Sequence, residues 1–273
     1  MKGKTRITMA LVAVLPALLL APGCGERVET GDLVKLTRSI DLGYAKSVDA
    51  RIEMGVGKLT VSGGSQNVMD AEFTYNVAEW KPEVSYGEAD ERGTLRVRQP
   101  GGHGLGLGGR VRNEWDIQLN ADIPMDLEVE LGAGTGRLEL GDLSLMDLRI
   151  TAGAGEVEVL LTGQPEVDDL EVQVGAGDVT VDLSGEWTDD LDAEIKGGVG
   201  RLTLRLPTDV GVRVDADKGI GKVRAHGLRR KGGAYVNEAY GVSDVTLRID
   251  CAAGVGSIIL ETEDSSGDHG ATI

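Results

Sequence analysis

Carboxylates dominate the residues able to do chemistry, with 45 Asp and Glu against 28 Lys and Arg, three His and two Cys. Acid–base cleavage of a polysaccharide needs two carboxyls held across one bond, one of them raised in pKa. Here the acids interleave with cations at strand spacing instead. With the chain's repeats taken in register, one column reads Glu128, Arg149, Glu171, Asp192, with Glu130, Thr151, Gln173 and Glu194 beside it. The opposite face reads Arg137, Glu156, Asp178, Arg201, Lys222, with Glu139, Glu158, Thr180, Thr203 and Arg224 alongside. Stacked about 4.8 Å apart, such charges pair in part, each exposed pair contributing at most about 1 kcal/mol. That is the pattern of a solvated sheet face, and no catalytic residue is assigned.

Other chemistries find equally little support. His103, His226 and His269 are isolated in loop-like contexts, so no metal site is expected. Gly175-Ala176-Gly177-Asp178 is only a fragment of the repeat that binds calcium in β-rolls. Gly104-x-Gly106-x-x-Gly109 matches the dinucleotide fingerprint formally, but Arg110 to Trp115 leads into a strand rather than a helix, so no cofactor is expected. Residues 101–109 read as a glycine-rich loop, either a binding lip or an excursion between repeats. Trp187, in the turn Gly185-Glu186-Trp187-Thr188, reads as a cap over the core. Cys251 falls on an inward strand phase and reads as a buried, inert thiol, with a Cys24–Cys251 disulfide the alternative.

The start of the chain reads as an export signal. Lys2, Lys4 and Arg6 precede the uncharged apolar run from Ile7 to Leu20, and small residues lead to Cys24. Leu20-Ala21-Pro22-Gly23-Cys24 resembles a bacterial lipoprotein signal, which implies lipidation of Cys24 after removal of residues 1–23. The usual leucine stands one place further upstream here, and an ordinary signal cut near Ala21 or Gly23 is the alternative. Loss of the leader takes the formal charge from −17 to −20, which argues against nucleic acid or anionic lipid as partner. Residues 24–40 are expected to hold the lipidated cysteine and a tether, and 264–273 to form a disordered tail.

What would position these faces is a repeated phrase. Gly-small-Gly occurs at Gly55, Gly132, Gly153, Gly175, Gly198, Gly219 and Gly254, and the first glycines from Gly132 to Gly219 lie 21, 22, 23 and 21 residues apart. Such a period marks a solenoid. Around each phrase the apolar alternation slips phase, as in Leu148, Ile150, Ala152, Ala154 and then Val157, Val159, Leu161, so the chain turns a corner there. Hairpins of an antiparallel meander would require no fixed period. The reading is all-β, a β-solenoid resembling a single-stranded parallel β-helix, with N-terminal strands and the glycine-rich loop over 41–126 and regular repeats over 127–263. Each rung should hold two strands and a variable loop. The small residue between the glycines should fill a cramped interior corner. Tyr235 to Tyr240 breaks the period, as a cap or an insertion.

The run Trp115-Asp116-Ile117-Gln118-Leu119, Ile123-Pro124 and Leu127-Glu128-Val129-Glu130-Leu131-Gly132-Ala133-Gly134 resembles the "putative adhesin" and Toast-rack families of bacterial envelope proteins. Residues 50–61, Phe73-Thr74-Tyr75-Asn76 and Leu95 to Gln99 resemble the first part of the same domain. The resemblance implies a β-solenoid without family catalytic residues, and relatives in envelope-stress proteins. The expected function is a non-catalytic, lipid-anchored binding or scaffolding module on the periplasmic face or cell surface, engaging an envelope protein or glycan. An envelope-stress accessory engaging a membrane sensor is the alternative, and a polysaccharide-active enzyme a lesser one. Exposed strand edges at the solenoid ends make end-to-end homo-oligomers physically reasonable.

Overall fold

In the computed structural model, which describes residues 29–101 and 111–263, the chain runs through fourteen strands. In order they are β1 (Val34–Ile40), β2 (Ser47–Ser65), β3 (Met69–Tyr75), β4 (Glu83–Ala89), β5 (Arg92–Arg98), β6 (Asn113–Asn120) and β7 (Met125–Glu139). There follow β8 (Leu145–Leu160), β9 (Asp169–Asp182), β10 (Leu191–Pro207), β11 (Gly211–His226), β12 (Arg229–Lys231), β13 (Ala234–Val236) and β14 (Thr246–Glu263).

Each Gly-small-Gly phrase lies inside one long strand and bends it into two arms. In β8 the first arm buries Leu148, Ile150 and Ala152 and the second Val157 and Val159, so the phase slip turns both apolar sets toward one interior. A rung is therefore a single bent strand, not two strands joined at a loop. The stack is parallel and in register, with Ala133, Ala154, Ala176 and Val199 on successive rungs.

The corner differs from expectation in one respect. The glycines, not the residue between them, occupy the crowded positions. A Cβ on Gly175 would lie 2.5 Å from the Gly153 carbonyl oxygen, and one on Gly177, where φ is +128°, 1.8 Å from that of Gly155. Ala154 and Ala176 are exposed, and Val199 is 56% exposed. The middle residue points outward along a ridge, because backbone of the adjacent rung fills the space beside each glycine.

Rung order departs from chain order. The stack runs β2-β7-β8-β9-β10-β14-β11, so the last long strand inserts between two earlier ones. β13 pairs antiparallel with β11 at Arg213 and Val214, and β12 extends β13, so residues 235–240 belong to a partial end cap.

At the other end the arms of β2 part company. The first arm continues into β5 and β4, and the second into β6, β3 and β1. β5 and β6 together form a split rung, its first arm ending at Arg98 and its second beginning at Asn113. Gln99 fills the gap, its Oε1 accepting the N–H groups of Gly55 at 3.0 Å and Val56 at 3.2 Å. Asn113 donates to the Val56 carbonyl at 2.7 Å and accepts the Trp115 indole N–H at 3.0 Å. Phe73 packs edge-on against Trp115 at 5.3 Å. The strand β1 begins at Val34, within the stretch expected to be tether.

Candidate functional site

Stacking in register turns every outward position of a first arm into a column running up the solenoid. Asp49, Asp126, Asp147, Asp169 and Asp192 form one such column, continued by Arg248. Arg96, Arg51, Glu128, Arg149, Glu171, Glu194 and Asp250 form the next. These columns line a groove of about 850 Å³ that crosses β5, β2, β7, β8, β9, β10 and β14. Nine carboxylates face four arginines along it: Asp49, Asp126, Glu128, Asp147, Asp169, Glu171, Asp192, Glu194 and Asp250 against Arg51, Arg96, Arg149 and Arg248.

Three corrections to the expected columns follow from the observed register. Asp192 aligns with Asp169 and Glu194 with Glu171, two residues from the alignment read off the sequence. Arg137 lies beside Glu158 rather than Glu156. Ser257 of β14 separates Arg201 from Lys222.

Within the groove most cations are committed. Arg92 reaches Asp49 at 2.7 Å through Nε and also meets Asp126. Arg51 sits among Glu53, Glu128 and Glu130, Arg149 meets Glu171 at 2.7 Å, and Arg248 meets Asp190 at 3.0 Å. The Arg92 guanidinium holds the Asp49 carboxyl below the usual range, whereas partial burial and then the neighbouring Asp49 push Asp126 up. Arg92 clamps Asp126 to Asp49. One guanidinium thus bridges these two carboxyls, which are not set facing each other across open space as acid–base cleavage requires. Asp147, Asp169 and Asp250 make no ion pair within the described residues, which leaves the groove electronegative along its length.

The remaining sequence candidates lie away from the groove. Trp187 is buried and donates to the Leu183 carbonyl at 2.8 Å, so it caps the core and offers no open ring face. Cys251 is buried, and burial pushes its thiol up to about 12. Asp178 is exposed and pairs with Arg201 at 3.2 Å, and His226 is exposed at the end of β11. Cys24, His103, His269 and residues 102–109 of the glycine-rich loop lie outside the described residues. No three His, Cys, Asp or Glu side chains among the described residues come together in a metal-holding group. No helix among them is long and apolar enough to cross a membrane.

Sequence reading missed Asp49, Arg51, Arg92 and Arg96. The signal was present in the alternation Arg92, Thr94, Arg96, Arg98, but placing β5 beside β2 requires the pairing, not the pattern.

Bent parallel rungs around an aliphatic core, with a charged groove on one outer face, define a β-solenoid presenting an extended surface rather than a closed pocket. The model of the N-terminal domain of toast_rack matches residues 29–168 and 163–205, and the chain belongs to that family. A solved structure described as a putative cell adhesion protein from Clostridium sporogenes is 32% identical, with a TM-score of 0.63, over 85% of this chain and 100% of that one. A putative adhesin from Parabacteroides merdae is 12% identical with a TM-score of 0.31, over 85% of this chain and 97% of that one. A putative lipid binding protein from Parabacteroides distasonis is 11% identical with a TM-score of 0.33, over 89% and 98%. No curated protein matches the chain.

Proposed function

We propose that this chain is a non-catalytic binding module of the bacterial envelope, held at the membrane by a lipid on Cys24. Its first-arm groove engages a basic segment of another envelope protein. The observation that carries this reading is the groove itself, long, shallow and electronegative, with Asp126 tied up by Arg92. The name of the Clostridium relative supports a binding role. Between the expected partners, an electronegative groove suits a basic protein segment better than an acidic glycan.

The test is in-cell photo-crosslinking from positions 147 and 169, with the full chain beside Cys24→Ser and a D147K/D169K form. Capture of one envelope protein, lost in both variants, supports the proposal. Capture unchanged by D147K/D169K sinks the groove, and an unchanged membrane fraction for Cys24→Ser sinks the anchor.

A further inference from the structure

The terminal rung differs in charge from the body of the molecule. In the body, most arginines are met by carboxylates, as Arg98 is by Glu83, Arg137 by Glu139 and Glu158, and Arg201 by Asp178. On β11 and β12, Lys218, Lys222, Arg224, Arg229, Arg230 and Lys231 are exposed, and among the described residues none forms an ion pair. Arg230 and Lys231 rest over the rings of Tyr235 and Tyr240, at 5.0 and 5.2 Å, and Arg230 also donates to the Gly233 carbonyl at 3.5 Å. A chain of charge −17 thus gathers unmet cations at one end of its stack.

Those cations border an unfinished sheet. One edge of β11 pairs with β14 from Gly211 to His226, whereas the other pairs with β13 only at Arg213 and Val214. From Asp215 to His226 that second edge has no partner strand among the described residues. Beside it an apolar stripe surfaces on the ridge, where Val199, Val255 and Ile220 lie on adjacent rungs, 56%, 45% and 75% exposed.

We propose that this edge of β11 is a docking site for an acidic, extended segment of another protein, which adds as the next strand. The open row of N–H and C=O groups calls for a strand, the cations select an acidic one, and the stripe beside Ile220 accepts an apolar side chain at its bend. A second copy is disfavoured on charge. Two β11 edges would set Lys218, Lys222 and Arg224 against their own likeness; of the two terminal strands at the opposite end, β1 carries Lys35 and Arg38, and β4 has its acids already engaged, Glu83 by Arg98 and Glu88 by the Tyr44 N–H and the Tyr86 hydroxyl. An anionic bilayer would satisfy the cations but would leave the backbone row to water.

The probe is a labelled decapeptide of alternating Glu and Val, titrated onto the full-length protein. Alternating Lys and Val peptide and phosphatidylglycerol vesicles serve as comparisons. The Glu-Val peptide should bind, slow amide exchange across residues 215–226, and lose about tenfold or more in affinity to K222E/R224E. Both of those residues are exposed and unpaired, so a thermal melt of that variant should match the parent. Binding should persist in D147K/D169K, so failure here is separable from failure of the groove. No peptide binding, binding that survives K222E/R224E, or binding without protection of 215–226 overturns the proposal. Vesicle binding in place of peptide binding overturns it in favour of lipid. If the cations merely guard an exposed edge, K222E/R224E would self-associate and no peptide would bind.

Discussion

Gly177→Ala tests the corner geometry on which the solenoid depends. A Cβ there would meet the Gly155 carbonyl oxygen at 1.8 Å, against the 3.4 Å at which ordinary contact begins, so the two rungs must part by about 1.5 Å or the bend must reshape. A non-glycine residue at φ +128° adds strain of about 1–3 kcal/mol. Parting the rungs at the bend forfeits about two ladder hydrogen bonds, each about 1 kcal/mol. The combined cost is about 3–5 kcal/mol, which at about 2–4 °C per kcal/mol for a domain of this size lowers the melting midpoint by about 10 °C. The matched control is Ala176→Val. Ala176 is exposed between Ala154 and Val199 on the ridge, so the extra methyls should change stability by less than about 0.5 kcal/mol. Circular dichroism melts and urea titrations of both variants provide the comparison. If Gly177→Ala melts within about 2 °C of the parent, or Ala176→Val falls as far, the assignment of crowding to the glycines is wrong.

Three further outcomes are expected. Asn113→Ala removes the partner of the Val56 carbonyl and of the Trp115 indole N–H, and urea unfolding followed by tryptophan fluorescence should show a loss of about 2–3 kcal/mol. Asp70 accepts from Ser39 at 2.6 Å, Ser65 at 2.7 Å and Asn67 at 3.2 Å, and these bonds lower its pKa from 3.8. Its contribution is therefore present above 3.8 and lost as pH falls through the lower folded value, so Asp70→Asn should cost about 1 kcal/mol at neutral pH and nothing well below that range in pH-resolved melts. In a Cys24→Ser form, Cys251 should resist Ellman's reagent at pH 8 until urea unfolds the chain, because burial holds its thiol up at about 12. Rapid reaction of the native protein would place Cys251 at the surface.

Sequence alone revealed the period, the parallel stacking and the inward sets, because a buried aliphatic face leaves its alternation in the chain. Leu148, Ile150, Val157 and Val159 are all buried as that alternation requires. It misjudged the corner because a small residue between glycines looks the same whether it is small for lack of room or merely tolerated on a ridge. Val199 and Ile220 were the available clue, since residues of that size fit no cramped interior. The groove was half visible. Alternating charges gave its character, but columns depend on register, and the two-residue errors at Asp192 and Arg137 arose from anchoring each rung on its own pattern rather than on the shared glycines.

Rung order was the larger omission, and its physical cause lies in what each strand can bury. β14 offers Leu247, Ile249, Ile258 and Leu260 to the interior, all buried, whereas β11 offers Val212 and Val214 in its first arm but only half-buried Val223 and Ala225 in its second. A terminal rung has one neighbour instead of two, so the strand with less to bury loses least by standing there. Charge acts in the same direction. With β11 directly on β10, Lys222 would face Arg201 and His226 would face Arg205. With β14 between them, Ser257 and Glu261 take those places, and Glu261 reaches Arg205 at 3.6 Å. The insertion therefore completes the aliphatic core and sends the basic strand to the end of the stack, where its open edge and its unpaired cations meet solvent together. Swapping the inward residues, with Val223→Ile and Ala225→Leu in β11 and Ile258→Val and Leu260→Ala in β14, should remove the burial preference for this order. Amide exchange would then lose its protection across residues 246–263. Unchanged protection there would mean that charge, or the connection through β12 and β13, sets the order instead.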